Sequence, residues 1–366
     1  MFTDQTMMFL KKIPAIAAGV IMTVSLAYGV NDDMDNIFDE EKWKESVQST
    51  DASGFHAPHF KDGEYFNPWM PMERKGYFTV LKWHYFSERQ KYSEAEENFI
   101  PEVKHLTAGY INSHDNFITW TGHASVLVKY SGNVFLVDPV FGDIPFVKKR
   151  RTPSALDYGE AACFSGRVTV LITHNHYDHL DKKSIQSLPV DTEFIVPAGL
   201  SPEIREIRGS DANVREMDWW DETSCGGITI TLLPSQHWSK RAFRKANSSL
   251  WGSYLLDTGT KKIFICGDTG YSLIYHEISK KFHGIDYAFI SAGAFHPRWF
   301  MHYAHQDDSE AIMGYTELGA KNMIPFHWGA FRLGDEPEGY PALQIKKRLP
   351  DSLIMNAGDI IGLPNR

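Results

Sequence analysis

Short runs of apolar and β-branched residues recur between residues 167 and 326, and each gives way abruptly to polar residues. Four of these runs lie at residues 167–173, 228–233, 262–266 and 322–326. Runs of this length and composition predict buried strands. A histidine or an aspartate follows each run within a few residues, so we expect polar side chains at four strand ends.

The most polar strand end is residues 173–181, which read Thr-His-Asn-His-Tyr-Asp-His-Leu-Asp. His174 and His176 are two residues apart and can face one ion, while Asp178 and His179 lie further round the loop and can face a second. A lone His-x-His is often an ordinary surface or core element, but burying so many polar groups without an ion would be costly. Imidazole and carboxylate ligands together suit zinc, with iron and manganese as alternatives.

A pair of ions needs more ligands than one loop supplies. The other three runs are followed by His237, Asp268 and His327. Taken singly, an aspartate in a glycine-flanked turn is usually a turn former, and a histidine after a strand is usually a satisfied polar residue. Three such residues in succession behind the first cluster favour a shared metal site.

The order of these motifs resembles the metallo-β-lactamase superfamily, in which His-x-His-x-Asp-His is followed by His, Asp and His. The resemblance covers roughly residues 115–363. It implies an α/β fold, the αβ/βα sandwich of two mixed β-sheets flanked by helices, with the site at one edge. It also implies two zinc ions, a bridging Asp268, and two ligand sets: His174, His176 and His237 for one ion, and Asp178, His179 and His327 for the other.

Longer strings narrow the resemblance to one family. Residues 120–125 and 137–141 resemble the opening of the branch that contains the ascorbate-phosphate lactonase and phosphodiester hydrolases. Residues 234–241, 250–253, 267–271, 293–301 and 327–329 are similar to the N-acylphosphatidylethanolamine-hydrolysing phospholipase D family, and the upstream segment 67–69 is similar as well. This implies a phospholipid substrate cleaved to phosphatidic acid and an N-acylethanolamine, and it carries a role near the substrate phosphate to His305. Kinship alone does not fix the substrate. A lactone or a soluble phosphodiester is the alternative substrate, and an exported metal-binding envelope protein is the non-enzymatic alternative.

The chemistry of such a site needs no protein nucleophile. Two cations that share a carboxylate lower the pKa of a bound water toward neutrality, giving hydroxide at a fixed position. We expect Asp268 to bridge the ions and to orient or deprotonate that water, with His305 as the second catalytic residue. Arg241 follows His237 closely and is expected to bind substrate through its charge, as are Lys240 and Arg298, although a solvated charge is an equal alternative.

Two further groups of residues have alternative interpretations. His123 either supports a metal ligand or packs locally. Aromatic residues flank the motifs, and these are expected in the core rather than in an acyl-chain groove: Trp238, Trp251, Trp299, Phe300 and Trp328.

The charge of the chain limits its partners. A formal net charge of −9 argues against nucleic acid and gives no global attraction to anionic membranes. Residues 240–245 and residues 148–151 each form a local basic patch that could still contact a membrane surface, with a solvated face as the alternative. A homodimer is an open assembly state. Three widely spaced cysteines, Cys163, Cys225 and Cys266, do not form a disulfide framework.

The N-terminus predicts export. Lys11 and Lys12 precede an apolar run at 13–30, and Asn-Asp-Asp follows, which is typical of a signal peptide or, if uncleaved, of a membrane anchor. We therefore expect a periplasmic or membrane-associated protein with its catalytic domain outside the cytoplasm. The expected division is a signal or anchor at 1–30, an extension at 31–110 that packs on the catalytic domain, and a hydrolase domain at 111–366.

Overall fold

The strands begin and end where apolar runs meet polar or glycine-containing turns. The computed structural model describes residues 38–73, 75–86, 89–144 and 149–365. The strands are β1 Phe60–Lys61, β2 Glu64–Tyr65, β3 Phe117–Gly122, β4 Ser125–Tyr130, β5 Asn133–Val137, β6 Val168–Leu171, β7 Glu193–Pro197, β8 Val214–Met217, β9 Glu222–Cys225, β10 Ile228–Leu233, β11 Ser253–Asp257, β12 Lys262–Ile265, β13 Tyr287–Ser291, β14 Asn322–Phe326 and β15 Ile360–Gly362.

The helices are short and lie between these strands. They are α1 Glu40–Gln48, α2 Tyr77–Phe86, α3 Glu94–Glu97, α4 Ala108–Ser113, α5 Tyr158–Ala162, α6 Lys182–Ser187, α7 Ser201–Arg208, α8 Ile274–Lys281, α9 Arg298–Met301, α10 Asp308–Leu318 and α11 Tyr340–Arg348, with a 3₁₀ turn at Ala52–His56. Asp181 begins α6 by accepting hydrogen bonds from the backbone amides of Lys183 and Ser184. The last carboxylate of the polar 173–181 stretch is therefore a helix cap.

Two mixed sheets form the core. One has the order β15-β3-β4-β5-β6-β7-β8 and the other β14-β13-β12-β11-β10-β9. Each sheet is antiparallel at one side and parallel at the other, with β5 to β8 parallel in the first sheet and β12 to β14 parallel in the second. All four residues of β6 are buried, as expected for a parallel strand covered on both faces.

The sheets face each other, and helices lie against each of them. The hydroxyl of Tyr254 on β11 donates to the carbonyl of Ile172, 2.9 Å away just beyond β6, which ties the two sheets together near the polar loop. Helices α5, α6 and α7 pack beside the first sheet, and α8, α10 and α11 pack beside the second. The predicted αβ/βα sandwich is confirmed, and the four apolar runs become β6, β10, β12 and β14.

The described part of the predicted extension packs on the sandwich. The side-chain amide of Asn67 donates to the backbone carbonyl of His237 (3.0 Å) and to the hydroxyl of Tyr303 (2.7 Å). The indole of Trp69 donates to the side-chain carbonyl of Gln236 (3.1 Å). The extension thus holds the loop that follows β10. The domain boundary at residue 110 stays a prediction.

The predicted signal or anchor at residues 1–30 lies outside the described residues. Within the described ranges, every helix is too short or too polar to cross a bilayer. Export and membrane anchoring therefore stay predictions.

The close approach of β12 to the loop before β11 generates a prediction about stability. A Cβ atom at Gly267 would overlap the backbone carbonyl oxygen of Gly252 and lie 3.1 Å from the Cβ of Thr173. We expect Gly267→Ala to lower the free energy of unfolding by about 1–3 kcal/mol and to displace Asp268, measured by chemical denaturation and by bound metal. Gly109→Ala is the control, because its nearest neighbour atom would lie 3.8 Å away and alanine favours a helix. Equal stability of Gly267→Ala and the wild type would contradict the steric argument.

Candidate metal centre

Seven predicted ligand side chains from four strand ends meet in one cluster. The loop after β6 carries His174, His176, Asp178 and His179, and the loops after β10, β12 and β14 carry the other three. His174, His179, His237, Asp268 and His327 are buried, while His176 and Asp178 are partly exposed. The structure therefore brings together every residue that the sequence predicts as a metal ligand.

Three imidazoles form the first group. Nδ1 of His176 lies 2.9 Å from Nε2 of His174 and 3.2 Å from Nε2 of His237. Two nitrogens bound to one tetrahedral zinc at about 2.0–2.1 Å lie roughly 3.3–3.4 Å apart. The three nitrogens are therefore spaced to hold one ion.

Asp178, His179 and His327 form the second group. Oδ2 of Asp178 lies 3.5 Å from Nε2 of His179 and 3.3 Å from Nε2 of His327.

Asp268 lies between the two groups. Its carboxylate oxygens are 3.2 Å from Nε2 of His179 and 3.1 Å from Nε2 of His327. They are 4.0 Å from Nε2 of His174 and of His237. Its position between the two groups would let this carboxylate contribute to an ion held by either of them.

Several buried atoms that face the cluster lack a hydrogen-bond partner among the described residues. They include Nε2 of His179, Nε2 of His327 and Oδ1 of Asp268, which approach one another without hydrogen-bond geometry. Buried polar atoms left without partners are costly. Bound cations would satisfy them, so the donor set fits two metal ions.

Burial and the two carboxylates divide the histidines electrostatically. Burial and the neighbouring histidines hold the pKa of His174 and of His237 well below the usual value, and burial lowers that of His176 to about 4. Burial also acts on His327, but the carboxylates of Asp268 and Asp178 outweigh it and raise its pKa to about 9. The first group is therefore neutral at pH 7, whereas His327 holds a proton that a metal ion must displace.

Asp138, directly after β5, fixes the orientation of His179. Its carboxylate accepts hydrogen bonds from Nδ1 of His179 (2.7 Å), from the hydroxyl of Thr173 (2.6 Å) and from the amide of Thr173 (2.7 Å). A hydrogen-bonded Nδ1 leaves Nε2 free to face the cluster. Sequence reasoning assigned Asp138 no role, although it follows an apolar run as the ligands do.

His123 supports the second group from the end of β3. Its Nε2 lies 3.0 Å from Oδ2 of Asp178, and its backbone carbonyl accepts from the amide of His327 (2.8 Å). Burial and the adjacent His327 lower the pKa of His123 to about 3, so the ring is neutral and Nε2 carries the hydrogen that faces the carboxylate. The contact between His123 and Asp178 fits the interpretation that His123 supports a metal ligand better than the interpretation that it only packs locally.

A cavity of about 750 Å³ adjoins the cluster. His176, Asp178, His237 and Asp268 are among its lining residues, so the ligand cluster forms part of its wall. Apolar and aromatic side chains provide most of the remaining lining. Reactants could therefore reach the cluster from solvent.

Comparison with known proteins identifies the fold family. A sequence profile described as a β-lactamase superfamily domain matches residues 133–328, more than half of the chain. The chain belongs to the metallo-β-lactamase superfamily.

Relatives and solved structures agree with this assignment. N-acyl-phosphatidylethanolamine-hydrolyzing phospholipase D 1 of Caenorhabditis elegans is 32% identical over 249 residues, which is 63% of this chain and 69% of the worm protein. The mitochondrial N-acyl-phosphatidylethanolamine-hydrolyzing phospholipase D of Saccharomyces cerevisiae is 31% identical over 234 residues, 60% of this chain, and the chain spans about half (48%) of its length. Igni18, a metallo hydrolase of Ignicoccus hospitalis, has the same fold, with a TM-score of 0.53, 16% identity, and coverage of 69% of this chain and 99% of that one.

Superfamily membership and the ligand cluster make this protein a metal-dependent hydrolase.

His305 lies beside the ligand cluster, on the loop after α9. Nδ1 of His305 is 3.9 Å from Oδ2 of Asp268, and the ring lines the cavity. Burial lowers the pKa of His305 to about 4. A neutral imidazole at this position faces any molecule that reaches the ions.

Arg241 contacts the ligand loop and does not line the cavity, where a substrate-binding residue would have to lie. Its guanidinium donates to the backbone carbonyls of Asn175 (2.9 Å) and Leu180 (2.8 Å) and lies over the ring of Tyr177. The side chain is 14% exposed and is not among the cavity-lining residues. The reason is local: the ligand loop turns sharply and leaves carbonyl groups that need donors. Arg241 therefore holds the metallo-hydrolase's ligand loop.

Lys240 and Arg298 are likewise engaged by the protein. The ammonium of Lys240 donates to the carbonyl of Arg244. Arg298 pairs with Glu310 at 2.8 Å and donates to the carbonyl of His305 at 3.1 Å. Arg298 thus acts on the loop that presents His305, which its position in the sequence did not reveal.

The aromatic residues divide between the core and the cavity. Trp328 stacks on Trp120 in the core, as expected. Trp251 is buried and also borders the cavity, and Trp238 and Phe300 line it. The expectation of core positions is thus wrong for Trp238, in the loop after β10, and for Phe300, on α9, because both side chains are partly exposed and face the cavity.

The contacts of Asp138 predict weakened metal binding in Asp138→Asn. An amide nitrogen cannot accept from Nδ1 of His179, so the ring would lose its fixed tautomer, and we expect metal affinity to fall about 10–100-fold. Competition with a chelator would measure this. Asp286→Asn is the matched control, because Asp286 accepts from Lys261 and Lys321 at the start of β13, away from the cluster. Wild-type affinity in Asp138→Asn would refute the role of Asp138.

The raised pKa of His327 predicts that metal binding releases protons. In metal-free protein the imidazole is protonated below about pH 9, and a protonated ring cannot be a ligand. Apparent metal affinity should therefore rise with pH from neutrality up to about 9. Calorimetry at pH 7 in buffers of different ionisation enthalpy should show release of at least one proton per protein. Zero release would contradict the assignment of His327 as a ligand.

Proposed function

We propose that this metallo-hydrolase is a zinc-dependent phosphodiesterase of the phospholipase D type. Its substrate would be N-acylphosphatidylethanolamine, and its products phosphatidic acid and an N-acylethanolamine. The observation that carries the proposal is the cavity of about 750 Å³, which combines an apolar lining with the ligand cluster in its wall. The worm and yeast relatives, named for this hydrolysis, support the same substrate.

The cavity suits a molecule with an anionic head and apolar chains. Its volume lies within the range of about 300–1,000 Å³ that is typical of small-molecule sites. Trp238, Phe300 and Met301 offer apolar surface for chains, and the ligand cluster offers cation sites for a phosphate. A site of this kind differs from structural zinc, whose four protein ligands close the coordination sphere. The open cavity therefore favours an enzyme over a metal-binding envelope protein.

Two zinc ions, when bound, would polarise a phosphoryl oxygen and favour the ionisation of water. The residues of the chain would then handle protons and orientation. Burial opposes ionisation of Asp268, but the adjacent His327 and His179 outweigh it and hold its pKa well below the usual range. Its carboxylate is therefore ionised and able to orient the attacking water by accepting a hydrogen bond from it.

His305 would orient the phosphate. Its neutral imidazole, 3.9 Å from Asp268, offers one N–H donor to a phosphoryl oxygen. Water would add to phosphorus, the bond between phosphorus and the ethanolamide oxygen would break, and the leaving oxygen would take up a proton. No covalent protein intermediate is required.

The proposal is tested by product analysis. Metal-replete protein would be mixed with vesicles that contain N-acylphosphatidylethanolamine, and products would be identified by mass spectrometry. We expect phosphatidic acid and N-acylethanolamine from the wild type and at least about 100-fold less from His176→Ala, because a metal ligand is lost. His283→Ala, a substitution of an exposed histidine, is the matched control and should retain wild-type turnover.

Absence of product from metal-replete wild type would refute the lipid substrate. Turnover of a lactone or a soluble phosphodiester by the same preparation would then identify the alternative reaction. Metal analysis of the active preparation would distinguish zinc from iron and manganese.

A further inference from the structure

We infer that the mouth of the cavity docks on a lipid bilayer through exposed phenylalanine side chains, not through basic charge. This inference rests on the proposed lipid substrate and identifies the surface that would meet the membrane. The mouth is formed on one side by the hairpin of β1 and β2 and by residues 245–247, the end of the loop at residues 240–247. The amide of Tyr65 donates to the carbonyl of Asn247 at 2.8 Å and joins these two segments.

Exposed phenylalanines gather at this mouth. Among the residues whose side chains the structure describes, three phenylalanines are exposed by more than a third: Phe243 at 96%, Phe60 at 56% and Phe66 at 37%. Phe66 lines the cavity, and Phe60 precedes the lining residue Lys61. Phe243 follows Ala242, whose amide donates to the hydroxyl of the lining residue Tyr177 (3.2 Å). All three therefore belong to one rim.

The basic residues of the 240–245 segment are engaged by the protein. Arg241 lies under the ligand loop, and Arg244 pairs with Glu206. The ammonium of Lys245 donates to the carbonyl of Asp62 (2.8 Å) and lies 3.3 Å from Glu64. With a net charge of −9 for the chain, electrostatic attraction to anionic lipid is weak. The basic patch predicted at 240–245 thus presents an apolar tip, Phe243.

A bilayer is the occupant that these features favour. Each methylene of a lipid chain that enters water lowers the equilibrium constant for transfer about fourfold, so a two-chain substrate needs a mouth that abuts the bilayer. Aromatic side chains on protruding loops are suited to the boundary between head groups and chains. A second copy of the chain is the competing occupant.

The experiment places an environment-sensitive fluorophore at the mouth of the full-length protein. Lys61→Cys carries the label in a Cys163→Ser background, since Cys163 is the exposed native cysteine and Cys225 and Cys266 are buried. The probe is neutral phosphatidylcholine vesicles with nitroxide-bearing lipids. This local readout is independent of whether residues 1–30 anchor the protein and of whether any lipid is hydrolysed.

We expect the label at position 61 to shift to shorter wavelength and to be quenched by the nitroxide lipids. The signal should be equal at about 0.1 M and about 1 M salt, where the screening length falls from about 10 Å to about 3 Å. Phe243→Asn should reduce the ratio of docked to undocked protein by about tenfold; asparagine tolerates the positive φ of 64° at this position. Val190→Ser is the matched control, because Val190 is 94% exposed but precedes β7, at the strand end away from the metal centre.

Several results would overturn the inference. The first is a label that the nitroxide lipids do not quench. The second is a fluorescence response that requires anionic lipid or disappears in high salt. The third is a ratio of docked to undocked protein that falls as much in Val190→Ser as in Phe243→Asn. A wavelength shift that follows protein concentration without vesicles would assign the rim to a second copy. Docking without release of N-acylethanolamine would refute the proposed function alone, and hydrolysis without docking would refute this inference alone.

Discussion

The buried carboxylate of Asp268 is the interaction on which the site depends. It lies within 4.0 Å of ring nitrogens from five histidines, which come from four separate loops. Such a concentration of polar groups, almost removed from water, is stable only if charges are paired and donors are satisfied. The two carboxylates, Asp178 and Asp268, raise the proton affinity of nearby imidazoles, and metal ions can replace those protons. The same burial that creates the electrostatic cost therefore creates the affinity for cations.

The ligands are held by residues that do not face the ions. Asp138 and His123, each directly after a strand of the first sheet, contact His179 and Asp178. Arg241 caps carbonyl groups of the ligand loop, and Glu203 accepts from Asn175 in the same loop (2.9 Å). These contacts orient the ligands through the protein and exclude water from their rear faces. Metal binding therefore depends on the packing of the sandwich, because the packing contacts orient the ligands.

The N-terminal extension completes the site from outside the matched superfamily domain. Asn67 and Trp69 fasten the loop that carries His237, and Phe66 and Lys75 line the cavity. The ammonium of Lys75 also donates to the backbone of Trp299 (3.2 Å) and of Phe300 beside α9. The cavity is therefore a joint product of the sandwich and the extension. The extension is thus placed to influence which molecules reach the candidate metal ligands of the superfamily domain.

The sequence by itself determined the fold, the strands that end in candidate ligands, and the set of histidines and aspartates that the structure gathers in one cluster. The reason is local: apolar runs of strand length and clustered histidines leave few alternatives that satisfy burial and polarity together. The tertiary structure alone decided the roles of Asp138, Arg241 and Arg298, since an arginine faces solvent or a buried carbonyl according to how distant loops pack. It also decided that residues 240–245 present Phe243, because the cations of that segment meet Glu206, Asp62 and Glu64 from distant parts of the chain. Charge counted along a sequence cannot show which charges are already paired in space.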